Sequence, residues 1–546
     1  MRALVSRRGV GGGGPSSTTL VAARLARVGE PCSTTLAATR VAGSQTLASG
    51  SPDYTGLAGL RRPARLAACA LLSLISLAAG VGQAYGQAGD AQAGKIVYEK
   101  KCALCHGEKG DGKGPAADLL DPRPRDFTTG IYKIRTTANK TPTDQDLFTV
   151  ITHGMPGTFM PGWKVLPEKD RWSLVAYLKT FAPERFKEAP KKQELPKEVA
   201  SSPESIKRGK EMFEAIECNK CHGAAGRADG PSRPELKDEW GHPIRPANLA
   251  KRWNFRGGAT RADIAMRLTA GILGTPMPTF IDSVEKPEDI WHLANYIASL
   301  GPESPGYATL LSARAVAGDI PDDPNAPFWA GIAPQNVPLV GQVTIEPRNV
   351  NPAIDVVTLR AAWNEKEIAF HLAWDDPTRS VQDAVNKTFA DAVALQFPRE
   401  LPTGLERPYF LMGDASDAVY LLRWENGKGG TEAHANGPAK LAPIAGGEVT
   451  AKAVYADGQY RLVLKRPLVS KDAARLTFRP GVFTPIAFQA WDGGAGEAGA
   501  RMSLTSWYYL RLEEPQSSRR FVVPPVVAVL TFVVMVLVGR VARRRA

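Results

Sequence analysis

The chain contains the stretch Cys102-Ala-Leu-Cys105-His106 and, 116 residues later, the stretch Cys218-Asn-Lys-Cys221-His222. The two thiols of a CxxCH motif lie one helical turn apart, so each can form a thioether with one vinyl group of a haem. The histidine that follows then reaches the iron from the same side. The motifs therefore predict two covalently bound c-type haems, with four attachment sites and two iron ligands: Cys102, Cys105, Cys218, Cys221, His106 and His222.

Other uses of paired cysteines fit less well. A structural zinc site needs four thiolate or imidazole ligands together, whereas each motif stands alone with one histidine. A redox-active CxxC pair needs no following histidine. The surroundings repeat as well, because CHGEKGDGKGPAA from Cys105 aligns with CHGAAGRADGPSR from Cys221. A duplicated haem domain is the simplest interpretation.

The repeat also predicts the sixth iron ligands. The stretch Gly154-Met-Pro-Gly-Thr-Phe-Met160-Pro aligns with Gly271-Ile-Leu-Gly-Thr-Pro-Met277-Pro. We therefore expect Met160 and Met277 to bind iron opposite histidine, an arrangement that raises the reduction potential. Gap filling in a core is the alternative for both methionines. Four other residues are expected to be structural or exposed: Met155, His153, His242 and His292.

The formal net charge of +13 does not indicate a nucleic-acid partner, because it is concentrated at the two ends. Residues 1–84 carry nine arginines against Glu30 and Asp53, and four arginines follow Gly539. Only about +2 remains for the rest of the chain, too little for a basic binding face. No nucleic-acid binding is expected.

The two ends are typical of targeting and membrane segments. Residues 1–84 are predicted to be a leader and signal peptide, with three arginines before an apolar run at 66–81 and cleavage after Ala84. Residues 521–539 contain only one polar side chain, Thr531, and predict a transmembrane helix. The arginines after Gly539 place the C-terminus in the cytoplasm and the haem domains in the periplasm. A buried core helix is the alternative.

Between these ends the sequence predicts a multidomain protein. Two all-α cytochrome c domains occupy residues 88–182 and 206–300, and a Lys-, Glu- and Pro-rich linker joins them. Residues 301–338 hold seven prolines and are expected to be a second linker. Short alternating stretches follow, such as Glu367–Trp374, and indicate an all-β sandwich over residues 320–513.

Four stretches of this β region resemble a known family: Leu372-Ala-Trp-Asp-Asp-Pro-Thr-Arg379, Asp391-Ala-Val-Ala-Leu-Gln-Phe-Pro398, Pro408-Tyr-Phe-Leu-Met-Gly-Asp414 and Trp491-Asp-Gly-Gly-Ala-Gly-Glu497. They are similar to the haem b-binding gamma subunit of ethylbenzene dehydrogenase, also found with dimethyl sulfide dehydrogenase and the selenate and chlorate reductases. The resemblance implies one haem b held between a methionine and a lysine. It also implies electron exchange with a molybdopterin catalytic subunit through an iron–sulfur subunit.

The ligands that the resemblance implies carry over only in part. Met412 occupies the position of the family's methionine, but the lysine position falls near Arg501 and Met502. Arginine stays protonated and is a poor ligand. Met502 is therefore the expected second ligand, with Lys465 as a distant alternative, and loss of this haem remains open. His371 and His434 do not fall at ligand positions.

These features predict a membrane-anchored periplasmic electron-transfer subunit with two haems c and one haem b. It would link a molybdopterin oxidoreductase to a redox partner in the respiratory chain at the inner membrane, with no substrate chemistry of its own. Two alternatives remain. One is a dihaem peroxidase, which would need one iron with an open position. The other is a free-standing cytochrome c carrier whose β region is only a docking or sensing module.

Overall fold

The computed structural model describes residues 89–386, 388–402, 404, 406–438, 440–514 and 519–545. The predicted leader and signal peptide, residues 1–84, lie outside this range. The described chain is multidomain: a helical region that contains both CxxCH motifs precedes a large β domain, and a long apolar helix follows.

The helical region divides into two CxxCH segments, which we define as residues 89–187 and 203–300. The first contains α1 (Ala91–Lys101), α2 (Ala103–His106), α3 (Asp144–His153) and α4 (Glu168–Lys179). The second contains α5 (Pro203–Ala215), α6 (Asn219–His222), α7 (Arg261–Ala270) and α8 (Asp289–Ser299). Each CxxCH motif thus lies on a short helix directly after the first long helix of its segment.

The repeat in sequence is matched by a repeat in backbone geometry. Helices α3 and α7 both begin with a capping box, in which a threonine and an aspartate three residues later bond each other's backbone N–H. Helix α1 packs against α4 at Gly94, where an added Cβ would collide with the carbonyl oxygen of Ser173. Helix α5 packs against α8 in the same way, with Gly209 against the carbonyl oxygen of His292. The first and last helices of each segment therefore approach each other at a glycine.

The β domain, residues 307–514, contains one sheet, in which eleven strands follow a continuous hydrogen-bonded path and three more strands pair beside it. They are β1 (Leu311–Ala315), β2 (Gln335–Pro338), β3 (Val340–Gly341), β4 (Val356–Trp363), β5 (Glu367–Asp375), β6 (Ala392–Pro398), β7 (Val419–Glu425), β8 (Gly429–Ala435), β9 (Leu441–Pro443), β10 (Thr450–Ala456), β11 (Gln459–Pro467), β12 (Phe483–Trp491), β13 (Ser503–Leu504) and β14 (Tyr508–Leu512). The order is β10-β11-β5-β4-β1-β14-β12-β6-β7-β8-β9. Strand β1 is parallel to both β4 and β14, whereas the other neighbours on this path are antiparallel.

The two ends of this path face each other across one hydrophobic core. Phe370 of β5 contacts Phe397 of β6 with ring centres 6.0 Å apart, and Trp374 of β5 contacts Trp424 of β7 at 5.9 Å. All four side chains belong to the same buried cluster. The fold therefore has two packed layers, as a sandwich does, but β1, β14 and β12 connect the layers into one sheet.

The two predicted linkers contain more structure than the sequence suggested. Strands β1 and β2 lie within residues 301–338, so the sheet begins before residue 320. Residues 188–202 are held against both CxxCH segments: Asn139 Nδ2 donates to the carbonyl of Ala189, and Trp291 Nε1 donates to the carbonyl of Pro196. Neither linker is a free spacer.

The C-terminal helix α9 spans Arg519–Arg545. Its part from Val522 to Arg544 is long and apolar enough to cross a membrane, with a mean hydropathy of 2.6, and none of it is buried against the rest of the described chain. The helix starts before Pro524 and Pro525, which are inside it. Because proline lacks an N–H, it is best tolerated within the first turn or two.

Candidate haem sites

The first CxxCH motif opens into a cavity of about 160 Å³ in the first segment. Its lining includes Cys102, Cys105, His106 and Met160. Apolar and aromatic side chains complete the wall, including Leu147, Ile151, Trp163 and Leu178. The structure thus brings the four residues that the sequence predicted to hold the first haem into one pocket. Met155 also lines this pocket, where packing alone was expected.

The second motif lines a larger cavity of about 890 Å³. Cys218, Cys221, His222 and Met277 all contribute to its lining, as does Ile272, the counterpart of Met155. This cavity is larger because it continues between the second segment and the β domain, where Tyr307, Leu339 and Asp355 line it. The four motif cysteines form no disulfide with one another. Burial raises the pKa of Cys102 to about 12 and that of Cys218 to about 11.

One hydrogen bond orients each motif histidine. Nδ1 of His106 lies 3.0 Å from the carbonyl oxygen of Arg125, and Nδ1 of His222 lies 2.8 Å from that of Ala247. Because a carbonyl only accepts, Nδ1 carries the proton and Nε2 keeps its lone pair free for a metal. Burial lowers the pKa of both histidines, which favours the neutral ring that binds iron. Arg125 and Ala247 occupy matching positions in the RPRDF and RPANL stretches.

The two methionine loops have the same internal hydrogen bonds. Each begins at a glycine that ends a helix with positive φ, Gly154 at 72° and Gly271 at 69°. The N–H of Met155 donates to the carbonyl of Met160 at 3.0 Å, and the N–H of Ile272 donates to that of Met277 at 3.3 Å. These bonds close each loop and hold its methionine over the cavity.

The two cavities share a wall. Pro122, Thr158 and Phe159 line both of them, and all three belong to the first segment. Phe159 directly precedes Met160, so the methionine loop of the first segment also bounds the pocket of the second. Gly157 of the same loop lies against Asn254 of the second segment. The pockets are therefore adjacent.

Buried N–H groups of cationic side chains line both pockets without hydrogen-bond partners. Arg125 Nη1 of the first pocket and Arg267 Nε and Nη1 of the second form no hydrogen bond, although they are buried. Burial lowers the pKa of Arg125 and of Arg267 to about 10 each, and burial beside Arg256 and Arg125 lowers the pKa of Lys133 to about 7. Buried charges normally have a counter-ion. A haem carries two propionate carboxylates, so these donors suit the group that the cysteines and histidines would hold.

The β domain brings together the two methionines of the predicted haem b site. Met412 and Met502 are both buried and belong to one apolar cluster, separate from the main core. The cluster rests on Ala392 and Ala394, small residues that leave the sheet face flat. Beside them on β12, the Oε1 atom of the buried Gln489 has no hydrogen-bond partner. The two thioethers predicted as ligands thus lie in the same buried cluster.

The other candidate ligands lie elsewhere. Arg501 is exposed. Lys465 Nζ donates to the carbonyl of Ile320 at 2.9 Å and lies 3.5 Å from Glu367, on the opposite layer. His371 and His434 each bond a backbone carbonyl outside the methionine cluster. In the helical region His153 is exposed, and His292 lies 2.8 Å from the hydroxyl of Ser205.

Sequence reasoning missed the polar contacts that fix the second segment on the β domain. Lys251 Nζ lies 2.5 Å from Asp355 and 3.9 Å from Asp375, and Asn248 Nδ2 donates to Asp375 at 2.8 Å. Arg227 also pairs with Asp375. Asn248 follows Ala247, the carbonyl that orients His222, so the contact reaches the haem pocket. These residues are more than a hundred positions apart and no local motif marks them.

Three family models match parts of the chain. Residues 89–178 match the cbb3-type cytochrome c oxidase subunit III model, residues 206–301 match cytochrome c, and residues 326–445 match ethylbenzene dehydrogenase. The last match confirms the resemblance expected from the sequence.

Among curated proteins, the chain is similar to a Haloferax mediterranei protein whose name describes a respiratory nitrate reductase heme subunit. The two are 26% identical over 194 residues, which are 36% of this chain and 69% of that protein. Among solved structures, the reducing HAO-like protein complex of Kuenenia stuttgartiensis is 39% identical with a TM-score of 0.37, covering 39% of this chain and 96% of that one. A family 9 carbohydrate-binding module of Caldicellulosiruptor kristjanssonii in complex with glucose is 12% identical with a TM-score of 0.24, covering 38% and 98% of the two chains.

Proposed function

The chain is a haem-binding electron-transfer protein that joins cytochrome c-type segments to an ethylbenzene dehydrogenase-type domain, and we propose that it is the membrane-anchored haem subunit of a periplasmic molybdopterin oxidoreductase. In this role it carries electrons between the catalytic subunits and the respiratory chain. The observation that supports it best is the pair of adjacent pockets, each lined by two cysteines, a histidine and a methionine.

The residues of each pocket have separate tasks. The cysteines Cys102, Cys105, Cys218 and Cys221 anchor the macrocycle, which supplies reversible one-electron chemistry when bound. His106 and His222 present Nε2 to the metal because a carbonyl holds Nδ1. Met160 and Met277, which line the same pockets, would be the second iron ligands. A methionine paired with a histidine would raise the reduction potential. With two protein ligands available to each iron, the pockets favour electron transfer over a dihaem peroxidase, which needs an open position.

The shared wall offers a direct route between the two pockets. An electron that passes from one pocket to the other crosses the wall made by Pro122, Thr158 and Phe159. The unpaired N–H groups of Arg125 and Arg267 add positive charge near this wall. Buried positive charge stabilises a reduced centre relative to an oxidised one. We infer that these arginines raise both reduction potentials.

The β domain would supply the contact with the partner enzyme. We propose one haem b between Met412 and Met502, because both thioethers are buried in one cluster. The partners, a molybdopterin catalytic subunit and an iron–sulfur subunit, come from the family resemblance. The nitrate reductase heme subunit among the relatives supports a respiratory reductase of this type.

The proposal is tested on protein purified from the membranes of its own host. A pyridine haemochrome assay should give two covalent haems c and one extractable haem b per chain, and a molybdopterin subunit should co-purify in equal amount. Cys102→Ala combined with Cys105→Ala should leave one covalent haem. Retention of both covalent haems in this variant, or purification without any molybdopterin subunit, would contradict the proposal.

The membrane anchor is tested separately by deleting residues 519–546. Helix α9 contains the one stretch within the described chain that is long and apolar enough to span a bilayer. The truncated protein should therefore appear in the soluble periplasmic fraction with its haems intact, as cell fractionation and haem staining would show. A matched variant with residues 521–539 replaced by an unrelated transmembrane segment should return to the membrane. Truncated protein that stays in membranes washed free of partner subunits would refute the anchor.

A further inference from the structure

Three aspartates with no role in the proposed haem sites converge at one end of the β domain. Asp376 directly follows β5, Asp391 directly precedes β6, and Asp492 directly follows β12. One carboxylate oxygen from each lies within 4.8 Å of the other two. All three side chains are buried, with exposed fractions of 0%, 0% and 2%. Each lies in a different one of the stretches that carry the family resemblance, so only the folded sheet brings them together.

This cluster lacks a paired cation. Among the residues that the structure describes, no lysine or arginine forms an ion pair with any of the three aspartates. The charged group that acts on them most directly is Arg233 of the second segment, which interacts with Asp492 and Asp376 at a distance. Burial and the mutual repulsion of the carboxylates raise the pKa of Asp376 well above its usual range, and burial raises that of Asp391 to about 6. Three buried like charges need a compensating charge.

The hydrogen bonds favour a metal ion over shared protons. Asp391 accepts from three donors, the N–H of Ser380, the hydroxyl of Tyr460 and the N–H of Gly493. A carboxylate that accepts on both oxygens is held in its ionised form. Asp492 accepts from the N–H of Ala495 at 2.9 Å.

Asp376 provides a second, independent observation. Its Oδ1 accepts from the N–H of Thr378 at 3.0 Å, but its Oδ2 has no hydrogen-bond partner although the side chain is fully buried. Buried polar atoms are nearly always satisfied. A buried carboxylate oxygen that lacks any donor and lies in a cluster with two other carboxylates is what a cation would bind.

We propose that Asp376, Asp391 and Asp492 bind one calcium ion. All donors at the site are hard oxygens, and the hydroxyl of Thr378 lies 3.5 Å from Asp492 Oδ1 and 3.4 Å from the hydroxyl of Ser380. Calcium takes six to eight such oxygens in irregular geometry, whereas zinc prefers nitrogen and sulfur and magnesium demands an octahedron. Asp492 also lines the larger cavity, which gives the ion a path to solvent.

The ion would tie together three strand ends, one of which, that of β5, contacts the second CxxCH segment. Asp375, the last residue of β5, precedes Asp376 and holds Arg227 and Asn248 of that segment. Calcium would therefore stabilise the surface on which the segment docks. This inference does not depend on the haem content of the protein or on its partner.

The test uses the full chain with its haems, purified in detergent. Metal analysis should find one calcium per chain, and dialysis against a calcium chelator should remove it. The unfolding midpoint should then fall by roughly 5 °C and recover when calcium is added, but not when magnesium is. Asp376→Asn should abolish calcium binding. Asp383→Asn, in an exposed turn of the same loop, should bind calcium as the unchanged protein does.

Several results would overturn the proposal. If the unchanged protein contains no calcium, and added calcium leaves the unfolding midpoint unaltered, the cluster holds protons instead. Another metal in the purified protein, or calcium binding that persists in Asp376→Asn, would refute the assignment equally. If Asp376→Asn does not fold, the metal content and chelator response of the unchanged protein still decide the question.

Discussion

Met412 and Met502 contribute thioether side chains from two distant stretches to one buried cluster. Met412 has a positive φ of 59°, an unfavourable conformation for a residue with a side chain. The next residue, Gly413, also has a positive φ. Such strain in the backbone tends to occur where a side chain must point at a ligand. The conformation at Met412 is therefore consistent with a ligand role.

We predict that Met412→Ala removes the extractable haem b, because one of its two iron ligands is lost. Met502→Lys should keep this haem but lower its reduction potential, since an amine donates more to ferric iron than a thioether does. Haem extraction measures the first result and a redox titration the second. Met535→Ala, in the exposed face of α9, is the control and should change neither. Haem b retained in Met412→Ala would exclude this ligand.

His371 predicts a pH dependence of stability. Its Nε2 lies 3.0 Å from the carbonyl of Pro324, its Nδ1 is buried without a partner, and burial lowers its pKa to about 4. A histidine with a depressed pKa stabilises the fold above its unfolded pKa of about 6.5, and the stabilisation is lost as the pH falls toward 4. The loss is at most about 3 kcal/mol.

Urea denaturation at several pH values checks this prediction. The free energy of unfolding should fall between pH 6.5 and 4 more steeply in the unchanged protein than in His371→Gln, which has no group to protonate. His434→Gln is the matched control, because that ring also bonds a carbonyl but is only half-buried. Equal slopes in the unchanged protein and His371→Gln would show that His371 does not contribute.

The sequence predicts individual site residues most directly where the chemistry is local. The CxxCH motifs and the methionine loops are short stretches whose spacing alone carries the information. The second haem b ligand was harder to predict. The lysine position of the resembled family falls near Arg501 and Met502, and the sequence alone does not show which side chain points into the site. The aspartate cluster was not predicted, since its members lie up to 116 positions apart, Asp376 to Asp492, and meet only at the ends of strands.

At the scale of secondary structure, the glycines at the helix crossings determine how each CxxCH segment closes. Gly94 of α1 meets the carbonyl of Ser173 in α4, and Gly209 of α5 meets the carbonyl of His292 in α8. No side chain fits at either place, so the helices must separate if one is added. The pocket below each crossing would widen as a result.

We predict that Gly94→Ala and Gly209→Ala each destabilise the chain by about 2 kcal/mol, the usual range for overpacking a buried contact. Chemical denaturation followed by haem absorbance would measure the change. Gly331→Ala is the control, because no atom lies within 4 Å of the added Cβ and its backbone is not in the left-handed region. An unchanged midpoint for Gly94→Ala would mean that the helices do not pack this closely.

The alternation of apolar and polar residues predicted where strands lie, but it did not predict which strands pair. The predicted stretch Glu367–Trp374 matches all but the last residue of β5. Strand β1 was missed because a proline-rich stretch surrounds it. Its parallel pairing with β4 and β14 joins the two layers, a non-local feature that no hydrophobic pattern encodes.

At the scale of the whole molecule, the second CxxCH segment is held on the β domain by a buried ion-pair cluster. Lys251 lies between Asp355 and Asp375, and its side chain is only 11% exposed. Burial lowers the pKa of Lys251, but the two carboxylates outweigh it and the net pKa is raised. Removing one member of a buried pair leaves the others without compensation.

We therefore predict that Lys251→Met lowers the free energy of unfolding by about 3 kcal/mol. Lys179→Met is the matched control: its pair with Asp144 is exposed, and the loss should stay below about 1 kcal/mol. Thermal unfolding of both variants, followed by haem absorbance and by tryptophan fluorescence, would measure the effect. Similar losses for the two variants would show that the cluster at Lys251 does not fix the interface.

The wall shared by the two pockets bears on how the protein matures. Phe159 and Thr158 bound the second pocket, yet they belong to the loop that closes over the first through Met160. A chain that received only its second cofactor would therefore lack an anchored lid on both sites. We therefore expect the maturation of the two sites to be coupled: chains with an empty first pocket should load the second more slowly, although they can still load it.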